Sequence, residues 1–71
     1  MAEGVYGSTK LTPKETEIVK LLATGLNNAE IAVKVGTTEH VVKNYLRTIY
    51  DKTGMFNRLE LALWYVKNSE G

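Results

Sequence analysis

Residues 28–52, NAEIAVKVGTTEHVVKNYLRTIYDK, carry two helical patterns separated by almost nothing. Asn28 is a cap-forming residue type, and Ile31, Ala32 and Val35 recur on one side, which predicts a short helix 2 from Ala29 to about Val35. Gly36 ends it. Only Gly36, Thr37 and Thr38 separate it from helix 3, predicted from Glu39 to about Lys52, with Thr38 as its cap and Gly54 as its stop. A joint that short makes two helices cross steeply, which is helix-turn-helix geometry.

Upstream, Thr12-Pro13-Lys14-Glu15 holds a cap, a proline suited to the first helical position and an acid three residues after the cap. Helix 1 follows to about Thr24, with Ile18, Leu21 and Leu22 as its buried stripe, Val19 on the flank and Gly25 as a left-handed stop. Downstream, Asn57-Arg58-Leu59-Glu60 supplies another cap with its acid and opens helix 4, which reaches about Lys67. The expectation is an all-α, four-helix domain over residues 11–68. Residues 1–10, with two glycines and no periodicity, read as a flexible lead or linker, and residues 69–71 as a tail.

Composition narrows the chemistry. A chain of 71 residues forms one domain with a small core and no room for a water-excluding active site. It has no cysteine and a single histidine, His40, so neither a disulfide nor a zinc site is available. No nucleophile, base and orienting group recur together, and Glu15 and Glu17 point in different directions on helix 1, so neither catalysis nor a cofactor is expected. The apolar runs fall far short of the ~20 residues that span a bilayer, and Met1 to Lys10 lacks the pattern of a signal peptide, which predicts a soluble, cytoplasmic protein. Nine Lys and Arg against eight Asp and Glu leave a net charge of only +1, so any attraction to a polyanion rests on local placement.

At ~100° per residue, helix 3 gathers Val42, Tyr45, Leu46, Ile49 and Thr53 on one arc, which faces the core. The opposite arc carries His40, Lys43, Asn44, Arg47, Tyr50 and Asp51, with Glu39 at its edge. Arginine's fork fits guanine O6 and N7, asparagine pairs with adenine, and lysine serves guanine or a phosphate. Lys43, Asn44 and Arg47 share one turn and can enter one groove together, although the same pattern is also that of an ordinary solvated face. His40 either touches phosphate or is solvated. Tyr50 either packs on a sugar or phosphate or flanks the joint with helix 4, and Arg58 either pairs locally or touches phosphate.

Helix 4 is apolar around most of its circumference: Leu59, Leu61, Ala62, Leu63, Trp64, Tyr65 and Val66. Either the core takes nearly all of it, or one side, with Leu61, Trp64 and Tyr65 as candidates, meets a second subunit. The alternative to DNA binding is a helical protein-interaction module that works through helix 4.

The ordered string Leu11-Thr-Pro-Lys-Glu15, Leu21-Leu-Ala-Thr-Gly25, Asn28-Ala-Glu-Ile-Ala32, Val41-Val-Lys-Asn-Tyr45, Lys52-Thr-Gly54 and Asn57-Arg-Leu-Glu60 resembles the LuxR/GerE-type DNA-binding domain of response regulators, from Leu11 to about Lys67. The resemblance implies a sequence-specific bacterial transcription regulator or its effector domain. Helices 2 and 3 then form the helix-turn-helix, helix 3 lies in the major groove of double-stranded DNA, and helix 4 makes a homodimer. It makes Lys43, Asn44 and Arg47 base-facing: Lys43 matches the family's own lysine, and the other two match positions that vary with the operator. Thr38 matches a capping hydroxyl that can also approach phosphate, and Asn28 starts the supporting helix. An N-terminal regulatory domain and RNA polymerase are further implied partners. Val41, Tyr45, Thr37, Thr53 and Ala29 depart from the family's pattern. They predict a looser core and a weaker grip on phosphate, hence modest affinity for a lone monomer that dimerisation on a two-half-site operator restores.

Overall fold

The structure is a computed structural model and describes residues 11–69. It contains α1 (Pro13–Ala23), α2 (Asn28–Val35), α3 (Glu39–Thr53) and α4 (Arg58–Ser69), with no strand among the described residues. The expected lead, residues 1–10, lies outside the described residues, as do residues 70 and 71 of the expected tail. Ser69 belongs to α4, which runs beyond its expected end.

Each helix starts where a side chain satisfies backbone N–H groups that have no intrahelical acceptor. Thr12 Oγ1 accepts from the Glu15 N–H at 3.1 Å while Glu15 Oε1 accepts from the Thr12 N–H at 2.8 Å, a reciprocal capping box with Pro13 at the first helical position. For α2 the expected cap is wrong by one residue: Asn27 caps it, not Asn28. Asn27 Oδ1 accepts from the Glu30 N–H at 2.8 Å and Glu30 Oε1 accepts from the Asn27 N–H at 2.9 Å. The acid that completes the box lies three residues after Asn27, whereas Asn28 has Ile31 at that spacing. Thr38 caps α3 as expected, its Oγ1 accepting from the Val41 N–H at 3.2 Å. Asn57 Oδ1 accepts from the Glu60 N–H at 2.9 Å ahead of α4.

The joint between α2 and α3 depends on Gly36, whose φ of 83° is left-handed and disfavours a side chain. It ends α2 by donating to Ala32 O at 2.9 Å and turns the chain into Thr37 and Thr38 within two residues.

Ile18, Val19 and Leu22 of α1, Ile31 and Ala32 of α2, Val42, Leu46 and Ile49 of α3 and Leu61 of α4 close into one buried cluster. Val19, expected on the flank of α1, is fully buried, while Leu21, expected in its stripe, is only half-buried. Helix α1 packs against all three other helices and α2 packs on α3, so α1 is the platform on which the helix-turn-helix is held. A second device fixes α3. Lys52 in its last turn donates from Nζ to Glu15 Oε1 at 2.8 Å, tying the end of α3 to the start of α1.

The looser core expected from Thr53 does not materialise at that residue. Its side chain is fully buried, yet Oγ1 donates to Ile49 O at 2.9 Å and accepts from the Met55 N–H at 3.3 Å. A buried hydroxyl with both functions used carries little desolvation penalty, and here it also shapes the exit from α3.

Candidate nucleic-acid interface

Helix α3 is held from one side only. Val42, Leu46, Ile49 and Thr53 bury its inner arc, while His40, Lys43, Asn44, Arg47, Thr48 and Asp51 stand exposed on the outer arc. Fifteen residues give a rod of ~22 Å at 1.5 Å per residue, long enough to lie along a groove.

The exposed groups divide between two flanks. On one, Lys43, Arg47, Tyr50 and Asp51 line an open cleft with Asn28 of α2 and Arg58 of α4, and Leu46 forms part of its wall. Lys43 and Arg47 lie one helical turn apart and have no ion-pair partner among the described residues. Asp51 is the single acid on this cleft. Arg58 is engaged locally: Nη1 donates to Asn28 Oδ1 at 2.7 Å and Nη2 to Leu26 O at 2.9 Å. Tyr50 is half-buried at the joint with the core. Burial pushes its phenol above the ordinary value of 10.0, against the opposing pull of the Arg58 guanidinium, so Tyr50 offers a neutral O–H at physiological pH.

On the other flank, Asn44 lies with Val41, Tyr45 and Thr48 beside Glu15 of α1. The sequence pattern grouped Lys43, Asn44 and Arg47 on one face; the fold places Asn44 toward α1 and the two cations toward α4. Thr48, four residues after Asn44 and exposed, lies on the same flank and joins the candidate set; its place on the outer arc of the helical wheel is the sequence signal for it. At the start of α3, Thr38 and His40 are both exposed. The Thr38 oxygen is occupied by its capping bond, and its own O–H is left to donate outward.

A different surface runs along α4 and the loop before it. Phe56 is 89% exposed, and Leu59, Leu63 and Val66 follow on the outward side of α4. Met55, Phe56, Leu63, Trp64 and Val66 line a shallow apolar groove edged by Glu60 and Lys67. The expectation of Leu61 at a subunit contact is corrected: it is fully buried in the core of its own chain. Trp64 and Tyr65 are half-buried and packed on that core, and only Trp64 reaches the groove. Because α4 is apolar nearly all round, its period could not say which side faces inward.

Among the described residues no group of acids, histidines or cysteines could hold a metal ion, and no helix is long and apolar enough to cross a membrane. What the outer face of α3 offers is a pair of unpaired cations, an amide, hydroxyls and an imidazole on a rigid rod. Those are the groups that meet phosphate oxygens and base edges.

Comparison with known proteins agrees with that chemistry. The family model described as "Bacterial regulatory proteins, luxR family" (GerE) matches residues 9–65. The chain is 41% identical over 64 residues to the probable HTH-type transcriptional regulator GfsR of Streptomyces halstedii, covering 90% of this chain and 26% of that protein. It is 40% identical over 55 residues to the nitrate/nitrite response regulator protein NarL of Escherichia coli K12, covering 78% of this chain and 26% of that one. It is also 40% identical over 57 residues to the transcriptional regulatory protein LnrK of Bacillus subtilis, covering 80% and 26% respectively. The chain thus spans about a quarter of the length of the curated relatives it matches. No solved structure matches it.

Proposed function

The chain belongs to the luxR family of bacterial regulatory proteins, DNA-binding transcription regulators rather than enzymes, and from that premise we propose that it reads the major groove of double-stranded DNA with α3. The observation that carries this reading is the pair Lys43 and Arg47: two exposed cations one turn apart on the middle of α3, unpaired in a chain that has almost as many acids as bases. Water alone can satisfy exposed cations, so the weight of the pair lies in its place: both stand on the outer arc of the second helix of a helix-turn-helix, where a polyanion in contact with α3 supplies their counter-charge.

In this reading Arg47 and Lys43 address base edges, guanine first, and Asn44 contacts an adjacent base from the α1 flank. Thr38, His40, Tyr50 and Asn28 hold phosphates on either side and set the register of α3 without reading sequence. With a net charge of +1 a single domain grips weakly, so a second copy on a two-fold operator supplies the affinity. The apolar side of α4, with Leu59, Leu63 and Val66 exposed, is the surface we assign to that copy. Antiparallel pairing of two such helices about Leu63 sets Glu60 of one copy near Lys67 of the other, which matches opposite charges around an apolar seam.

The relatives' greater length supports a place within a longer regulator, with a regulatory domain, contact with RNA polymerase and work in the cytoplasm as parts of the same proposal. The test is selection from random duplexes with the purified chain at low and moderate salt. An enriched, two-fold symmetric motif is expected. No enrichment at either salt overturns the reading in favour of partner binding through α4.

A further inference from the structure

The Arg58 guanidinium spans two elements that α3 separates in sequence. It stands at the first residue of α4 and donates to Asn28 Oδ1 at 2.7 Å and Leu26 O at 2.9 Å, at the N-terminal end of α2. A carboxamide has two ends, one accepting and one donating, and a fixed partner for one end decides where the other points. Here the oxygen is taken by Arg58. The Asn28 Nδ2 group has no acceptor among the described residues, and Asn28 lines the cleft that Lys43 and Arg47 also line.

We infer that Arg58 is a positioning residue for DNA binding: by holding Asn28 Oδ1 and the Leu26 carbonyl, it turns the Asn28 N–H2 into the cleft as a fixed donor to a DNA phosphate. The inference rests on the proposed reading of DNA by α3 and adds a physical link between the subunit-contact helix and the phosphate contact. Arginine suits the task because two nitrogens of its rigid planar fork each hold one acceptor; lysine gathers its three donors on one nitrogen at the end of a flexible stem and does not fix both acceptors in place. The cap and the bridge are compatible: Asn27 caps α2, so the Asn28 side chain is free of capping and its oxygen is available to Arg58.

The test uses a duplex from the selection, titrated at several salt concentrations with Arg58→Lys, Asn28→Ala and the double variant. Arg58→Lys keeps the charge, so a loss there reports geometry. Each single variant is expected to weaken binding about threefold to tenfold, the range of one exchanged hydrogen bond, with an unchanged salt slope. The double variant is expected to bind no more weakly than the worse single, because both changes remove one contact. Binding by Arg58→Lys at the wild-type level overturns the inference, and so does a double variant whose loss is the product of the two. An Arg58→Gln variant, titrated in the same way, also overturns it if its salt slope is lower by ~0.9 while Asn28→Ala is silent, since Arg58 then grips a phosphate itself.

Hydrogen exchange without DNA separates this inference from the reading beneath it. Arg58→Lys is expected to speed exchange of the first α2 amides while leaving the α1 core unchanged, and no change there removes the bridge even if DNA binding stands. If Arg58→Lys shows the exchange effect but the wild-type chain binds no duplex, both the DNA reading and the phosphate role of Asn28 are overturned.

Discussion

Lys52 Nζ lies 2.8 Å from Glu15 Oε1, and the same carboxylate oxygen accepts from the Thr12 N–H, so a single atom caps α1 and anchors the end of α3. Burial alone pushes the Glu15 carboxyl up, but the hydrogen bonds from Lys52 and Thr12, with the charge of Lys52, outweigh it and hold the group below its ordinary value of 4.5. The folded state therefore releases this proton more readily than the unfolded chain. The stability this supplies is complete above the unfolded value near 4.5 and is lost as pH falls through the lower folded value.

Glu15→Gln tests that account. It keeps an acceptor for the Thr12 N–H and removes the ion pair, so a loss of about 1 kcal/mol is expected at neutral pH. The difference in melting temperature between wild type and variant should be constant above pH 5 and shrink below about 4.5, the side on which the carboxylate gains its proton. A difference that stays constant down to pH 3 contradicts it.

The cap of α2 gives a second outcome. Asn27→Ala is expected to lower stability by about 1 kcal/mol in denaturant titration, since it leaves the Glu30 N–H without its acceptor. Asn28→Ala, which caps nothing, should change stability by less than about half that. The reverse order would restore Asn28 as the cap.

Two neighbouring leucines of α4 should behave in opposite ways. Leu61→Ala opens a cavity in the core and is expected to cost about 2–5 kcal/mol, enough to unfold so small a domain in large part. Leu63→Glu lies on the exposed side, so the melting temperature of the free chain should change little while the complex of two copies on a full operator duplex is lost. Dimers that survive Leu63→Glu would move the subunit contact elsewhere.

The local signals in the sequence were sufficient for what is local. Periodicity found Ile18, Leu22, Ile31, Val42, Leu46 and Ile49, and turn chemistry found Gly25, Gly36 and Gly54, because each depends on residues a few positions apart. The Asn27 cap is legible too, from Glu30 three residues on, although the adjacent Asn28 is an equally good cap by residue type. The Lys52 to Glu15 bond and the Arg58 to Asn28 bond span 37 and 30 residues, and no periodic pattern announces them. For the candidate interface, the wheel found the outer arc of α3. How that arc divides, with Asn44 toward α1 and Lys43 and Arg47 toward α4, depends on which helices pack beside it. On α4 a helix apolar all round gives no direction, so its period leaves Leu61 a candidate for the subunit contact when it fills the core.

The most direct test of the central claim, that α3 reads bases, is to repeat the duplex selection with Arg47→Ala. One base pair of each half-site should lose its preference, the full site should bind about 1–3 kcal/mol more weakly, and the rest of the motif should persist. An unchanged motif and affinity would mean that Arg47 does not reach a base and that α3 is not the reading helix.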